Sequence, residues 1–299
     1  MRTRTAVALP LAALLALSAA GQAPEVTYKS TELAPGLYML EGVGGFAGGN
    51  LGLMVGEDEV VLIDDGLPPL IDKVRAAVAE LTDEEIDYLV NTHVHGDHIG
   101  GNEALGEAGT TIFAHHNLRR RLVEQGISTP SGFVPAPEEA LPVVTFADSV
   151  TFHLDDREAF VFHVADAHTD GDAAIHFRDD NVIHAGDLFF NGLFPFVDLD
   201  TGGSVEGYLA GQRRLLELSD ADTRIIPGHG PLAGRAELQA AVDMLADSLE
   251  RVRALVDAGR SEEEILAENP LADYHDDWNW GFITTERMTR TLYRSLTAE

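Results

Sequence analysis

The chain of 299 residues contains no cysteine and few basic residues. Without cysteine it can form no disulfide and offers no thiolate to a metal ion. Its 20 Lys and Arg residues stand against 50 Asp and Glu, which gives a formal net charge of −30 at pH 7. A surface this acidic repels nucleic acid and anionic lipid, so we expect no nucleic-acid partner. The length and the 45% hydrophobic content suffice for one large α/β domain or two small ones.

The first 20 residues are typical of a secretory signal. Arg2 and Arg4 give a basic start, and Ala6–Leu17 is an apolar run too short to span a membrane comfortably. We therefore expect residues 1–20 to be a signal peptide. The mature chain, 21–299, is then periplasmic or secreted and is not attached to a membrane after cleavage. An uncleaved anchor or a buried apolar N-terminus is the alternative.

The densest group of potential metal ligands lies in residues 91–101, Asn-Thr-His-Val-His-Gly-Asp-His-Ile-Gly-Gly. The apolar run before this segment and the glycines within it predict a buried strand that ends in a tight loop. His93 and His95 alternate, so both rings can point the same way, whereas Asp97 and His98 can face a second point nearby. Imidazole and carboxylate ligands suit zinc, iron or manganese. The segment can therefore begin two adjacent metal sites.

Three further potential ligands follow predicted strands later in the chain. His168 lies in a turn-rich segment, Asp187 follows an apolar run, and His229 is flanked by glycine. All three are placed just past a strand, which is where open α/β sheets gather their sites.

These residues occur in an order that resembles the metallo-β-lactamase superfamily. The pattern also includes Asp64, and the resemblance extends from about Val26 to about Leu245. It implies a four-layer αββα sandwich, here a single domain over 21–299 with a C-terminal helical extension. The residue pattern alone predicts only an α/β fold.

The resemblance also assigns roles to individual residues. It implies that the first metal is bound by His93, His95 and His168, that the second is bound by Asp97, His98 and His229, and that Asp187 bridges them. Two Zn²⁺ ions are expected, with iron or manganese as alternatives and a single occupied site as a further one. Asp97 is the expected catalytic residue, since its free oxygen could orient a bridging hydroxide. Asp64 is expected to support the histidine loop.

Hydrophobic periodicity predicts the following elements. Strands are predicted at Leu37–Glu41, Leu51–Val55, Glu59–Asp64, Ile86–Asn91, Thr111–Ala114, Val143–His153, Ala159–Val164, Ala173–Phe177 and Asn181–Ala185. Helices are predicted at Pro68–Leu81, from His98 to Leu105, and at Leu118–Gln125, Val205–Leu218, Leu238–Val256, Ser261–Ala267 and Thr284–Leu296. The proline-rich segment Ser128–Pro142 is predicted to be a loop.

The expected activity is the hydrolysis of a small ester, lactone, thioester or amide by a dinuclear-metal enzyme. The absence of cysteine excludes the lactamases that use a Cys ligand, and a bridging Asp187 resembles glyoxalase II and the acyl-homoserine lactonases. Phe190, however, stands where those lactonases have tyrosine. Hydrolysis of β-lactams is one alternative, and a mononuclear-iron persulfide dioxygenase is the other.

The segment Leu188–Val197 indicates what kind of substrate the site can bind. It contains no Lys, Arg or Ser that could hold the carboxylate of a β-lactam. It contains four phenylalanines, Phe189, Phe190, Phe194 and Phe196. These side chains either line an apolar pocket or pack in the core. We therefore expect a small-molecule substrate that is neutral or apolar. Phe46, on a glycine-rich loop, is expected at a flexible hairpin tip or on a flap over the substrate.

Several other aromatic and histidine side chains are expected to have structural roles and not to bind metal or substrate. Trp278 and Trp280 are expected to seal the C-terminal helix against the body, and His184 to pack within a strand. His115 and His116 are expected to start a surface helix. Four histidines lack a ligand-like context: His153, His163, His176 and His275.

Overall fold

Two β-sheets face each other, and helices cover the outer side of each. The computed structural model describes residues 25–129 and 131–298, so the predicted signal peptide lies outside the described residues and stays a prediction. Within the described residues no helix is long and apolar enough to cross a membrane.

The first sheet has seven strands in the order β1-β2-β3-β4-β5-β6-β9. Its strands are β1 (Thr27–Ala34), β2 (Leu37–Val43), β3 (Leu51–Val55), β4 (Val60–Ile63), β5 (Tyr88–Val90), β6 (Thr111–His115) and β9 (Val144–Phe146). Pairing is antiparallel from β1 to β4 and parallel from β4 to β9. A separate hairpin consists of β7 (Ile127–Thr129) and β8 (Gly132–Val134).

The second sheet has six strands in sequential order. They are β10 (Ser149–Leu154), β11 (Arg157–Val164), β12 (Asp172–Phe177), β13 (Val182–Phe190), β14 (Arg224–His229) and β15 (Ala233–Gly234). Only β13 and β14 run parallel. Parallel neighbours end at the same edge, so the carboxyl ends of β13 and β14 bring their polar residues together.

The helices form the two outer layers. On the first sheet lie α1 (Ile71–Ala79), α2 (Asn102–Ala108) and α3 (His116–Glu124). On the second lie α4 (Val205–Leu218), α5 (Arg235–Asp257), α6 (Glu262–Glu268), the single turn α7 (His275–Trp278) and α8 (Thr285–Thr297). Short 3₁₀ turns occur at Pro68–Leu70, Glu138–Ala140, Leu199–Thr201 and Ala272–Tyr274.

Three apolar clusters correspond to the three interfaces between these layers. Between the sheets, Met54 from β3 packs in one cluster with Val161 and Ile175 from β11 and β12. Outside the first sheet, a second cluster joins its strands to α1 and α2. Outside the second sheet, the largest cluster joins β11 and β13 to α4, α5, α6 and α8. The predicted αββα sandwich is therefore confirmed, and α8 packs on the same cluster as α4.

Several predicted elements differ from the structure. The predicted strand Val143–His153 is two strands, because the chain leaves the first sheet after β9 and enters the second at β10. The helix expected from His98 begins only at Asn102, whose buried side chain exchanges hydrogen bonds of 3.0 Å with that of Asn91. The predicted loop Ser128–Pro142 contains most of the β7–β8 hairpin. Strand β1 was not predicted.

A pair of stacked histidines connects the two sheets. His115 ends β6 and His163 lies in β11; their ring centroids are 3.7 Å apart and the rings are nearly parallel. Burial and the neighbouring His163 and His116 lower the pKa of His115 to about 4. Burial also lowers the pKa of His163. Folding therefore favours the neutral rings, whereas the unfolded chain binds protons from about pH 6.5 downwards.

We expect the protein to lose stability as the pH falls from about 6.5 towards 4, partly through these two histidines. His163→Phe keeps a ring in the stack and cannot titrate, so its melting temperature should fall less between pH 7 and pH 5 than that of the wild type. His153→Phe is the matched control, because the His153 side chain is 71% exposed. The same pH dependence in wild type and His163→Phe would contradict this role.

Candidate metal centre

The histidine loop after β5 is held in place by the buried carboxylate of Asp64. Its Oδ1 accepts a hydrogen bond from the Thr92 backbone N–H at 2.7 Å, and its Oδ2 accepts one from the Thr92 hydroxyl at 2.7 Å. Oδ2 also lies 2.7 Å from Nδ1 of His98, and the Thr92 hydroxyl lies 3.0 Å from Nδ1 of His93. Both rings therefore have Nδ1 engaged and Nε2 free to face the site. This is the supporting position that the resemblance implies for Asp64.

The seven residues expected to be ligands lie in two adjoining groups. In each group the potential donor atoms lie within 4.8 Å of one another. The first group is His93, His95, His168 and Asp187, and the second is Asp97, His98 and His229.

Asp187 faces both groups, with a different oxygen towards each. Its Oδ2 lies 3.4 Å from Nε2 of His168 and 3.6 Å from Nε2 of His93. Its Oδ1 lies 3.2 Å from Nε2 of His98 and 3.5 Å from Nε2 of His229. This carboxylate can therefore contact two cations at once.

Asp187 occupies this position because of irregularities in the strands around it. It lies within β13, not past the end of a strand as the sequence suggested, because the strand continues to Phe190. Gly186 has a φ of +50°, and the register between β13 and β14 shifts there, which turns the next side chain into the site. Opposite, a Cβ at Gly228 would collide with Oδ1 of Asp187.

Two ligands in the first group are oriented by groups behind them. His168 Nδ1 donates to the carbonyl of Phe196 at 2.7 Å, which leaves Nε2 for the site. His95 has the opposite arrangement, with Nε2 lying 3.0 Å from Oδ2 of Asp198. His95 therefore presents Nδ1, which lies 2.8 Å from Nε2 of His168.

The sequence did not single out Asp198. Burial raises its pKa, but the hydrogen bond and the charge of His95 outweigh burial and lower that pKa to about 2. Asp198 is therefore ionised and can fix the tautomer of His95, as carboxylates behind metal-binding histidines do. Asp198 caps a 3₁₀ turn and Asp200 lies within it, and nothing in their local sequence separates them.

The protonation and bonding of these residues fit divalent cations. Three buried polar atoms that face the site have no hydrogen-bond partner: Nε2 of His93, Nε2 of His98 and Oδ1 of Asp187. Burial lowers the pKa of His168 to about 4 and that of His93 well below its usual range, so both rings are neutral. Burial opposes ionisation of Asp187, but the surrounding imidazoles hold its pKa well below the usual range. Neutral imidazoles with ionised carboxylates suit zinc, iron or manganese.

His98 differs from the other imidazoles. Burial lowers its pKa, but the carboxylates of Asp187, Asp64 and Asp97 outweigh burial and raise it well above the usual range. Positive charge is therefore favoured at this point, where the second group of donors converges.

A cavity of about 630 Å³ opens onto these ligands, and its wall is mainly apolar. It is lined by Phe46, Leu67, Pro68, His95, Gly96, Asp97, Ser128, Thr129, Asp187, Phe190, Phe196, His229, Trp280 and Phe282.

The four phenylalanines after Asp187 divide between the cavity and the core. Phe190 and Phe196 line the cavity, and the Phe190 ring stacks on that of His229 at 4.9 Å. Phe189 and Phe194 are fully buried in the cluster under α4 and α5. Alternation along β13 turns neighbouring side chains to opposite faces.

Three further aromatic residues complete the cavity wall. Phe46 is 64% exposed, and its ring lies parallel to that of His229 at 6.2 Å. Trp278 and Trp280 both pack against the core as expected, and Trp280 also lines the cavity. Phe282 was not predicted at all, because it belongs to an irregular segment before α8.

The remaining histidines lie outside both groups of donors. His184 is fully buried in β13, as expected for a packed strand residue. His116 starts α3 and is exposed, as expected for a surface helix start, whereas His115 is the N-cap of the same helix but is buried.

Loss of the Asp198 carboxylate should weaken metal binding. Asp198→Asn keeps the oxygen that caps the 3₁₀ turn through the Asp200 N–H but removes the charge beside His95. We expect metal affinity to fall about 10- to 100-fold, measured by competition with a chromogenic chelator. Asp200→Asn is the control, because Asp200 is exposed and pairs only with Arg294 on the surface. Equal affinities for the two variants would exclude this supporting role.

Comparisons with known proteins agree with this geometry. The family model described as the metallo-beta-lactamase superfamily matches residues 44–229. An uncharacterized protein of Aquifex aeolicus (strain VF5) is 32% identical over 175 residues, which are 57% of this chain and 78% of that protein. A hydroxyacylglutathione hydrolase of Methylococcus capsulatus is 29% identical over 199 residues, 62% of this chain and 68% of the relative.

A solved structure shares the fold of this chain. A metallo-beta-lactamase from Pontibacter korlensis has a TM-score of 0.62 at 17% identity, and the match covers 74% of this chain and 100% of that one. At this identity the likeness concerns the fold. The family model, however, matches more than half of the chain, and hydroxyacylglutathione hydrolases are among its relatives. The protein therefore belongs to the metallo-β-lactamase superfamily and is a metal-dependent hydrolase.

Proposed function

We propose that the protein is a dinuclear zinc hydrolase that cleaves a small ester, lactone or thioester. The observation that carries this proposal is Asp187, whose two carboxylate oxygens face two separate groups of donors. A carboxylate shared in this way fits a pair of cations better than one. The first cation would be held by His93, His95, His168 and Asp187, and the second by Asp97, His98, His229 and Asp187.

Bound zinc would supply Lewis acidity, which polarises a carbonyl group and activates water near neutral pH. The protein's own contribution to proton transfer is assigned to Asp97. Its Oδ2 lies 3.4 Å from Nε2 of His229 and 3.8 Å from Nε2 of His98, so this oxygen faces the second group. Asp97 also lines the cavity, so its Oδ1 is left to accept a proton from the attacking water.

Removing this proton acceptor should slow hydrolysis strongly. Asp97→Asn keeps the size of the side chain but loses the basic oxygen, so kcat should fall at least about 100-fold, the lower end of what a positioned acid–base group contributes. Rates are compared at equal metal content, and metal analysis of protein purified without added metal should give two zinc per chain. Asp58→Asn, on an exposed turn, controls for the loss of one negative charge.

Two results would contradict this proposal. Comparable kcat values for Asp97→Asn and wild type at equal metal content would remove the proposed role of Asp97. A single iron per chain in the purified wild-type protein would exclude the dinuclear zinc enzyme and favour the oxygenase alternative.

The cavity supports a substrate that is neutral next to the bond that is cleaved. Among the described residues that line it, none is a lysine or an arginine. Phe190 and Phe196 offer apolar surface beside the ligands, which suits an acyl or alkyl group. A hydroxyacylglutathione hydrolase among the relatives brings thioesters into the same class of substrates.

Penicillins should therefore be poor substrates. A carboxylate next to the scissile amide would leave water without gaining a lysine or arginine in the cavity wall, and would approach against a formal net charge of −30. Since a hydrogen bond to a charged group contributes about 1.5–3 kcal/mol, kcat/KM for a penicillin should be at least about tenfold below that for the better of a neutral lactone and an aryl ester. All substrates, with a carbapenem included, are compared under one metal condition. A penicillin or carbapenem as the best substrate would refute this assignment.

A further inference from the structure

A cation lies directly behind the aromatic wall of the cavity, although none lines it. The guanidinium carbon of Arg287 lies 4.2 Å from the ring centroid of Phe282 and 5.3 Å from that of Phe196. Those two rings contact each other edge-to-face at 5.3 Å, and Phe196 lies 5.5 Å from the ring of the ligand His95. The guanidinium is thus separated from the metal ligands by a single aromatic ring.

The charge of Arg287 is not neutralised by its surroundings. Within the described chain no carboxylate lies within 4.0 Å of it, although the protein has 50 acidic residues. Among the described residues its guanidinium makes one hydrogen bond, which Nη1 donates to the backbone carbonyl of Phe282 at 3.0 Å. The same helix pairs Arg290 with Glu286 and Glu262.

The position of Arg287 in its helix is also unfavourable for a cation. Thr284 is the N-cap of α8, so Arg287 is the third residue of the first turn. The backbone N–H groups at this end carry partial positive charge, which favours acidic side chains and repels basic ones. A half-buried arginine is therefore held behind two rings of the cavity wall, and four of its five N–H donors make no hydrogen bond within the described chain.

We propose that Arg287 binds a carboxylate at the far end of the substrate's apolar group. This inference rests on the proposed hydrolase function and narrows its substrate class to esters or thioesters whose apolar chain ends in an anion. The apolar chain would lie along Phe196 and Phe282, and the carboxylate would reach the guanidinium beyond them. The planar guanidinium can bind a carboxylate through two parallel hydrogen bonds.

This assignment differs from the carboxylate site that a penicillin would need. In a penicillin the carboxylate adjoins the lactam, whereas Arg287 is one ring removed from His95. A cationic substrate is disfavoured as well. The rings of Phe196 and Phe282 could attract a cation, but Arg287 already lies over both and would repel it.

The test compares two esters of equal chain length, 4-nitrophenyl hexanoate and the mono-4-nitrophenyl ester of adipic acid. The second ester has a carboxylate where the first has its terminal methyl group. For the wild type and each variant, the ratio of kcat/KM for the acidic ester to that for the neutral ester is measured. We expect Arg287→Gln to lower this ratio about tenfold, mainly through KM, because a hydrogen-bonded ion pair is lost. Arg287→Lys should retain part of the ratio, since it keeps the charge but not the paired donors.

Arg294→Gln is the matched control, because Arg294 lies on the same helix but pairs with Asp200 at the surface; its ratio should equal that of the wild type. Melting temperatures establish that each variant is folded, and Arg287→Lys provides the comparison if Arg287→Gln unfolds. A ratio in Arg287→Gln or Arg287→Lys equal to that of the wild type, with both esters slowed alike, would overturn the proposal and leave Arg287 as a support for the rings.

Failure of the proposed hydrolase function can be distinguished from failure of the Arg287 subsite. If the wild type hydrolyses neither ester, the hydrolase assignment to this class is wrong, and calorimetric binding of adipate decides about the subsite. Adipate that binds the wild type and binds about tenfold more weakly to Arg287→Gln supports the carboxylate subsite. Equal affinities, or no binding to the wild type, would overturn it.

Discussion

The buried carboxylate of Asp187 is the group on which the rest of the site depends. An ionised carboxylate is costly to bury unless it is paired and hydrogen-bonded. Here four imidazoles surround it, from His93, His98, His168 and His229, and together they keep it ionised despite burial. The charge and its partners are therefore interdependent. Removing the carboxylate would take away the negative charge that both groups of donors share, and removing the rings would leave a carboxylate that favours its protonated form.

Each half of this arrangement comes from a different sheet, so the sandwich must be assembled before the site exists. The first sheet supplies Asp64 at the end of β4 and the histidine loop at the end of β5. The second supplies Asp187 and His229 from β13 and β14. Asn50 joins the two halves, because its side chain donates to the carbonyls of Pro227 and Gly230 on either side of His229. The site is thus coupled to the packing between the sheets, where the cluster around Met54 and Val161 lies.

The parts of the structure that could be predicted are those determined by local sequence. Helix α4 has the predicted bounds Val205–Leu218, because its apolar residues recur at helical spacing and Ser204 caps its start. The histidine loop could be recognised because four potential ligands occur within six residues. Asp198 could not, since it lies 103 positions from His95 and has no local feature of its own. The corner between β9 and β10 was missed for a related reason, because alternation continues through it and only the pairing partners change.

In the cavity wall, too, some residues could be predicted from local sequence and others depend on tertiary packing. Phe190 could be placed near the ligands from its distance to Asp187 along the chain, but Trp280, Phe282 and Arg287 come from the C-terminal extension and depend on how α8 packs. That extension changes the electrostatics of the cavity at short range only. At physiological ionic strength the screening length is about 8 Å, so the net charge of −30 acts mainly on the approach of an anion. Once the anion is inside, contacts within a few ångströms decide its binding, and a nearby cation then matters more than the distant acidic surface. A strongly acidic protein can therefore still select an anionic substrate, provided that the negative group lies where the extension has placed its cation.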